Sequence, residues 1–174
     1  MKYNFRDEVS NLSKEQMVDL LQFMADSWWN LQNTWMVNIS KEFGTEVAAK
    51  FDGLVFSRCA QVQARRLQKL FGLGDDIPAL IEANKLSPLW SFVDMEILDQ
   101  TEKSVRFLVT KCQMQLNRLE AGLPELPCKQ PGIDVLGGFG KTVNPKIKMT
   151  CLLCPPDEHP DDAWCEWLYE LEED

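Results

Sequence analysis

A chain of 174 residues with 45% hydrophobic and 26% charged side chains holds enough apolar material for one packed domain without covalent staples. Its formal charge of −9 repels polyanions, and the one short basic run, Ala64 to Lys69, lies in a helical pattern, so nucleic acid is excluded as an expected partner. No stretch approaches the roughly 18 apolar residues of a membrane span. The opening MKYNFRDEVS lacks the apolar centre of a secretory signal, so a cytoplasmic location with no membrane partner is expected.

Disorder is expected only in the first ten residues and in the acidic end ELEED. Ser13, with Gln16 three residues on, has the form of a capping box. Met17, Leu20, Leu21, Met24 and Trp28 follow at helical spacing, and Trp35, Ile39 and Phe43 extend the stripe until Gly44 ends it. Thr45 is the expected N-cap of a second long helix, Glu46 to Leu70, which Gly72 and Gly74 close. Asp75 or Asp76 then caps a short helix through Pro78 to Leu86, stopped by Ser87 and Pro88.

From there the period changes. SFVDMEILD and SVRFLVTKCQMQ carry β-branched and aromatic residues in partial alternation around the polar QTEKS, which predicts a hairpin. Pro131 to Val143 reads as a short helix despite its glycines, and KIKMTCLL and AWCEWLYELE read as two more strands. The sequence therefore predicts an α+β fold in a single folded domain. A helical half, residues 1–88, packs on a four-stranded antiparallel sheet half of ββαββ order, residues 89–174.

The cysteines carry the chemistry. A reducing cytoplasm disfavours disulfides, so the six thiols are core, metal ligands or reactive groups. Cys128, Cys151, Cys154 and Cys165 follow a C-x22-C-x2-C-x10-C spacing. The C-x2-C pair can bite one ion from a tight knuckle, and zinc takes four ligands in a tetrahedron. Pairing of the last two strands would bring Cys151 towards Cys165, with Cys128 reaching over from its loop. A redox C-x-x-C would need a helix after it, and PPDEHPDD does not form one. A catalytic cysteine would need a base, and the only histidine is His159 in the same loop. Unligated thiols are the remaining alternative. The four-ligand count favours metal: a closed, structural zinc site, or alternatively an iron–sulfur cluster. A set with His159 in place of one thiol would be equally closed. Cys59 and Cys112 read as core.

The stretch Cys151 to Trp167, with its strand, turn and Cys165-Glu166-Trp167 end, resembles the 4-vinyl-reductase-type ligand-binding domain. Its phenol-sensing members hold zinc with a cysteine, an acidic residue, a cysteine and a last cysteine. Cys128, Cys151 and Cys154 match the first three positions, with Cys151 in the acid's place, and the interval to Cys165 is a few residues longer. The segments TWMVNISKEFGTEVA, QARRLQKLFG and NPKIKMTCLLCPPDEHPDDAWCEW are also similar to an uncharacterised family of small cytosolic proteins from mostly anaerobic bacteria.

These resemblances imply the fold shared by nitric-oxide-signalling and vesicle-tethering proteins, and a homodimer joined through helices. They imply a pocket for a small apolar or aromatic ligand, with Val105, Phe107 and Met149 as ligand-binding residues, although apolar strand faces are also plain core. The phenol sensors' first-half histidine is missing here, so phenol recognition is not implied. Relatives of this fold include a vinyl reductase and a thiazoline-ring hydrolase, so an enzyme is the alternative reading. The chain offers neither an open metal position nor a nucleophile with a base, which favours a binding protein. Arg58, Arg65 and Arg66 share a helix with Phe51, Val55 and Val62; one facing inward could take a ligand carboxylate, and otherwise all reach solvent.

Overall fold

The computed structural model describes residues 4–172. Of the two ends expected to be disordered, residues 1–3 and 173–174 lie outside that range, and Phe5–Ser10 forms a short helix, α1, whose start Asn4 caps by accepting from the Arg6 backbone N–H. Glu170 and Leu171 belong to the last strand.

The helical half follows from its caps. Helix α2 (Lys14–Phe43) starts at a complete capping box, with Ser13 accepting from Gln16 N and the Gln16 side chain accepting from Ser13 N. Gly44, at φ 91°, closes α2 in a conformation that L side chains rarely adopt, and it opens α3 (Thr45–Phe71) directly. Thr45 is therefore not the cap. It is already helical, and its hydroxyl instead accepts from Arg118 Nη2 at 3.3 Å. Gly72 ends α3 in the left-handed region, and Asp76 caps α4 (Ile77–Lys85) by accepting from Ala79 N. Ser87 caps a single 3-10 turn, Pro88–Trp90, rather than only stopping a helix.

The sheet half has strands β1 (Val93–Gln100), β2 (Ser104–Cys112), β3 (Ile147–Leu153) and β4 (Cys165–Leu171). All neighbours are antiparallel in the order β1-β2-β4-β3. Between the hairpins lie α5 (Gln113–Glu120) and α6 (Lys129–Val143). Helix α5 takes up Gln113 to Gln115, which alternation alone assigns to the strand. Cys112 ends the pairing opposite Val93, and the chain turns into helix there.

One face of the sheet is buried and the other is wet, as an antiparallel sheet permits. Val105, Phe107, Val109, Trp167, Tyr169 and Ile147 point inward and are buried, while Lys148 and Glu170, next to Ile147 and Tyr169 on the other face, are exposed. Helix α6 covers that face, and its glycines are what let it do so. A Cβ on Gly132 would stand 2.6 Å from the Trp167 ring, and one on Gly140 2.9 Å from the Tyr169 ring. Close approach of helix to sheet thus requires glycine at both positions. Helix α3 crosses the back of α6, giving a sheet–helix–helix order. The largest core cluster runs through all three layers, from Phe56 and Ala60 to Phe139 and Tyr169.

Candidate functional site

Where α6 begins, the layers part. A cavity of about 140 Å³ lies between α3, the 3-10 turn, α5, the start of α6 and the inner ends of β2 and β4. Its walls are mostly apolar: Trp29, Phe56, Leu89, Trp90, Val135 and Trp167. Its polar groups are few and gather at two corners, one of thiols and one around a carboxyl. Wider depressions exist: one of about 490 Å³ beside Asn30, Asp94 and Lys111 is mostly polar, and one of about 530 Å³ beside Leu21, Met24, Trp28 and Leu86 is mostly apolar, and neither is lined by a thiol.

The thiol corner is built by strand register and one docked loop. Cys165 opens β4 opposite Val109, and Cys151 on β3 faces Trp167, so both lie on the inward face of the sheet. Cys154 follows β3 and is fully buried; its sulfur is 3.4 Å from that of Cys165. Cys128 stands at the start of α6, which is tied over the turn after Cys154 by Lys129 N donating to Pro155 O at 2.9 Å. The Lys129 ammonium adds a 2.7 Å bond to Asp157. The Cys128 sulfur accepts from Gln115 Nε2 at 3.3 Å.

Cys128, Cys151 and Cys154 hold their protons more tightly than a free thiol does. The Cys165 contact and then burial push Cys154 far up, while burial first, and neighbouring sulfurs second, raise Cys128. Cys151 is raised by burial, an effect that Lys129 partly offsets. Cys112, at the end of β2, is pushed up to about 12 by burial, and Cys165 adds to that. Removing a proton from any of them sets a negative charge beside other sulfurs in an apolar corner, which only a cation would compensate.

That donor chemistry suits a soft metal ion. Two thiolates on one tetrahedral zinc, at Zn–S about 2.3 Å, stand about 3.8 Å apart. The Cys154–Cys165 separation of 3.4 Å is close to that, and far from the roughly 2.05 Å of a disulfide. Among the described residues, however, no three His, Cys, Asp or Glu side chains gather tightly enough to form a ready metal-holding group. His159 is turned elsewhere: its Nε2 lies 3.4 Å from Glu125, its Nδ1 2.9 Å from Pro160 O, and its ring packs on Trp164.

The second corner is Asp52, on α3. It is 8% exposed and lines the cavity, and its Oδ1 accepts from Gln32 Nε2 of α2 at 2.8 Å. Burial raises its carboxyl from an ordinary 3.8 to about 6, against the lowering effect of the Gln32 bond. The Gln32 Oε1 beside it is itself buried with no donor. Sequence reasoning did not single out Asp52, Gln32 or Gln115, whereas Cys112, read as core, is indeed buried. A polar residue on an amphipathic helix reads as solvated, and only the packing of α2 against α3 buries Asp52 and Gln32; Gln115 was read as part of the strand that ends at Cys112. Arg58, Arg65 and Arg66 are exposed, so none of them faces inward to the cavity.

Val105 and Phe107 are buried in the main core, where Phe107 meets Tyr169 edge-on with ring centres 5.9 Å apart. Met149 is half-buried against Gly137 of α6. None of the three is on the wall of the 140 Å³ cavity, which lies further along the sheet towards Val109 and Cys165.

Solved structures share this architecture. The phenol-responsive sensory domain of the transcription activator PoxR, with phenol, superposes with a TM-score of 0.55 at 16% identity, over 98% of this chain and 92% of that one. A trafficking protein particle complex subunit 3 from Naegleria fowleri, covalently bound to palmitic acid, gives a TM-score of 0.51 at 10% identity, over 87% of this chain and 95% of that one. Identities this low show a common fold and nothing finer. The sequence matches no curated protein. A family model does match, over residues 10–171, and so covers nearly the whole chain: the protein belongs to the family of unknown function DUF6125.

Proposed function

We propose that this protein is a sensor-like binding domain for a small, mostly apolar molecule, held in the cavity between α3, α6 and the sheet. The observation that carries this reading is the cavity itself, with aromatic and aliphatic walls and a few convergent polar groups. Its volume is close to the roughly 150 Å³ at which an apolar cavity takes up a single benzene-sized ring. The phenol held by the PoxR sensory domain supports a small-ligand role for the fold. No described helix is long and apolar enough to cross a membrane.

Cys128, Cys151, Cys154 and Cys165 are the residues that would hold a zinc ion in this account. Four thiolates leave no open position, so the ion would fasten the last hairpin to the start of α6 rather than act on a substrate. The second copy in a homodimer would cover the outer face of α2 and α3. Leu21 and Leu31 are 67% and 68% exposed there, and Leu54 61%, which is unusual for a helix pair left in water.

The binding reading is tested with toluene, a neutral ring with no polar group, followed by calorimetry and by tryptophan fluorescence, since Trp29, Trp90 and Trp167 line the cavity. Toluene should bind the native chain, and Val135→Phe, which fills the cavity from α6, should abolish binding while leaving the fold intact. Absence of binding to the native chain, or equal binding to the filled variant, contradicts the reading.

A further inference from the structure

We propose that the molecule this cavity takes is a small amine, positively charged and carried on a body about one ring in size, with Asp52 as its anchor. This rests on the binding reading above and names the chemistry of the ligand. Asp52 and Arg118 are the two buried charged side chains among the described residues, and they do not meet. Arg118 spends its guanidinium on neutral oxygens: Pro124 O at 3.1 Å, and the Ser40 and Thr45 hydroxyls at 3.3 Å each. Asp52 is left with one neutral donor, Gln32, and no cation within ion-pairing distance among the described residues. A buried carboxylate in that position is costly unless a positive group joins it.

The other polar groups of the wall point the same way. Gln115 donates to Leu126 O and to the Cys128 sulfur while its own oxygen accepts from Leu126 N, so its bonding capacity is used within the protein. The Trp29 indole N–H goes to Pro88 O and Ser91 Oγ, and that of Trp90 to Asn84 Oδ1 at 2.6 Å. Trp167 is the one wall indole whose N–H has no such partner among the described residues, and a single neutral donor does not offset an anion beside Asp52. What the wall offers a ligand is mainly acceptors: a carboxyl oxygen, sulfur and aromatic faces. Trp90 and Trp167 add aromatic lining, beside which an ammonium is also favoured, while Trp29 and Phe56 are stacked on neighbouring rings. An anionic ligand would meet a carboxylate with no counter-charge. A neutral alcohol would give one hydrogen bond and leave the charge uncompensated.

The experiment compares benzylamine, benzyl alcohol and benzoate, three ligands of one size, with the full chain at neutral pH. Benzylamine should bind at least tenfold tighter than benzyl alcohol, and benzoate more weakly than either. In Asp52→Asn, which keeps the shape and the Gln32 bond, benzylamine should fall to the level of benzyl alcohol. If benzyl alcohol binds the native chain as tightly as the amine, the amine inference is overturned and the cavity reading stands. If the amine preference survives in Asp52→Asn, the anchor is overturned. If none of the three binds, both this inference and the binding reading fall. The comparison on the native chain decides the matter even where the variant does not fold.

Discussion

The two polar corners of the cavity are satisfied in different ways. At the sheet end, sulfurs crowd within reach of one another, with Cys154 and Cys165 3.4 Å apart; the Cys165 contact and burial raise the Cys154 thiol, and burial raises that of Cys128. At the helix end, a single carboxyl sits with one amide donor and titrates near 6. Both corners are electron-rich and short of positive charge, but they differ in number and softness of donors. Several thiols suit a metal that displaces their protons, whereas one hard carboxylate suits a hydrogen-bonding organic cation. On the proposed reading, the same cavity would separate a part that holds structure from a part that reads a ligand.

The largest effect expected at the thiol corner follows from removing a ligand. Cys154→Ser and Cys151→Ser should each lose bound zinc by elemental analysis. Stability should fall by about 4 kcal/mol or more, the scale of losing a structural metal or a buried ligand. Cys59→Ala, half-buried on α3 and away from this corner, should keep the metal. Metal content that is indifferent to Cys151 and Cys154 would remove that corner from the account.

At the carboxyl corner the expected change has the opposite sign. The folded chain binds the Asp52 proton more tightly than the unfolded chain does, so between about pH 4 and pH 6 the native state carries more protons. This stabilising contribution is full below the unfolded value of 3.8, and it is lost as pH rises through about 6. Above that, ionised Asp52 is a constant penalty, worth roughly 3 kcal/mol for a carboxyl displaced so far. Asp52→Asn should therefore stabilise the ligand-free protein at pH 7 to 8 by up to about 3 kcal/mol, and by little at pH 4, in urea unfolding. A variant that is destabilised at pH 8 would show that the carboxylate is already compensated.

How much of this was legible in the sequence divides along similar lines. Helix ends were readable wherever a short-range signal fixes them: Ser13 with Gln16, Gly44, Gly72 and Asp76 all act locally. Helix α5 was not, because apolar alternation runs on past Cys112 and the turn into helix is set by where pairing with Val93 ends. Although Cys154 rather than Cys151 is the one in contact with Cys165, the gathering of thiols by the pairing of the last two strands was legible. Asp52 was not, since its burial depends on Gln32, twenty positions away. Val105, Phe107 and Met149, expected at a ligand, lie on the inward strand face away from the cavity wall, since alternation cannot tell a filled core from the wall of a cavity. The glycines of α6, which weaken a helix prediction, are explained only by the rings of Trp167 and Tyr169 beneath them.

Those glycines give a smaller effect. Gly132→Ala drives a methyl towards the Trp167 ring, 2.6 Å away, and should cost about 1 to 3 kcal/mol through forced displacement of that ring. The displaced ring also forms the cavity wall, so toluene affinity should change with it; unchanged stability would mean that α6 is free to move off the sheet. The smallest effect on the fold is expected outside. Leu31→Glu combined with Leu54→Glu alters exposed positions on α2 and α3 and should leave the stability of one chain nearly untouched. It should halve the mass seen by light scattering if a second copy covers that face, and an unaltered mass would exclude that interface.

Native mass spectrometry of the full chain, before and after adding benzylamine, reads both corners of the cavity at once. The account predicts a zinc adduct on each chain and, on addition, one benzylamine per chain, with the benzylamine lost in Val135→Phe while the zinc stays. Chains that carry no metal and take up no benzylamine, or take it up equally in Val135→Phe, would contradict it.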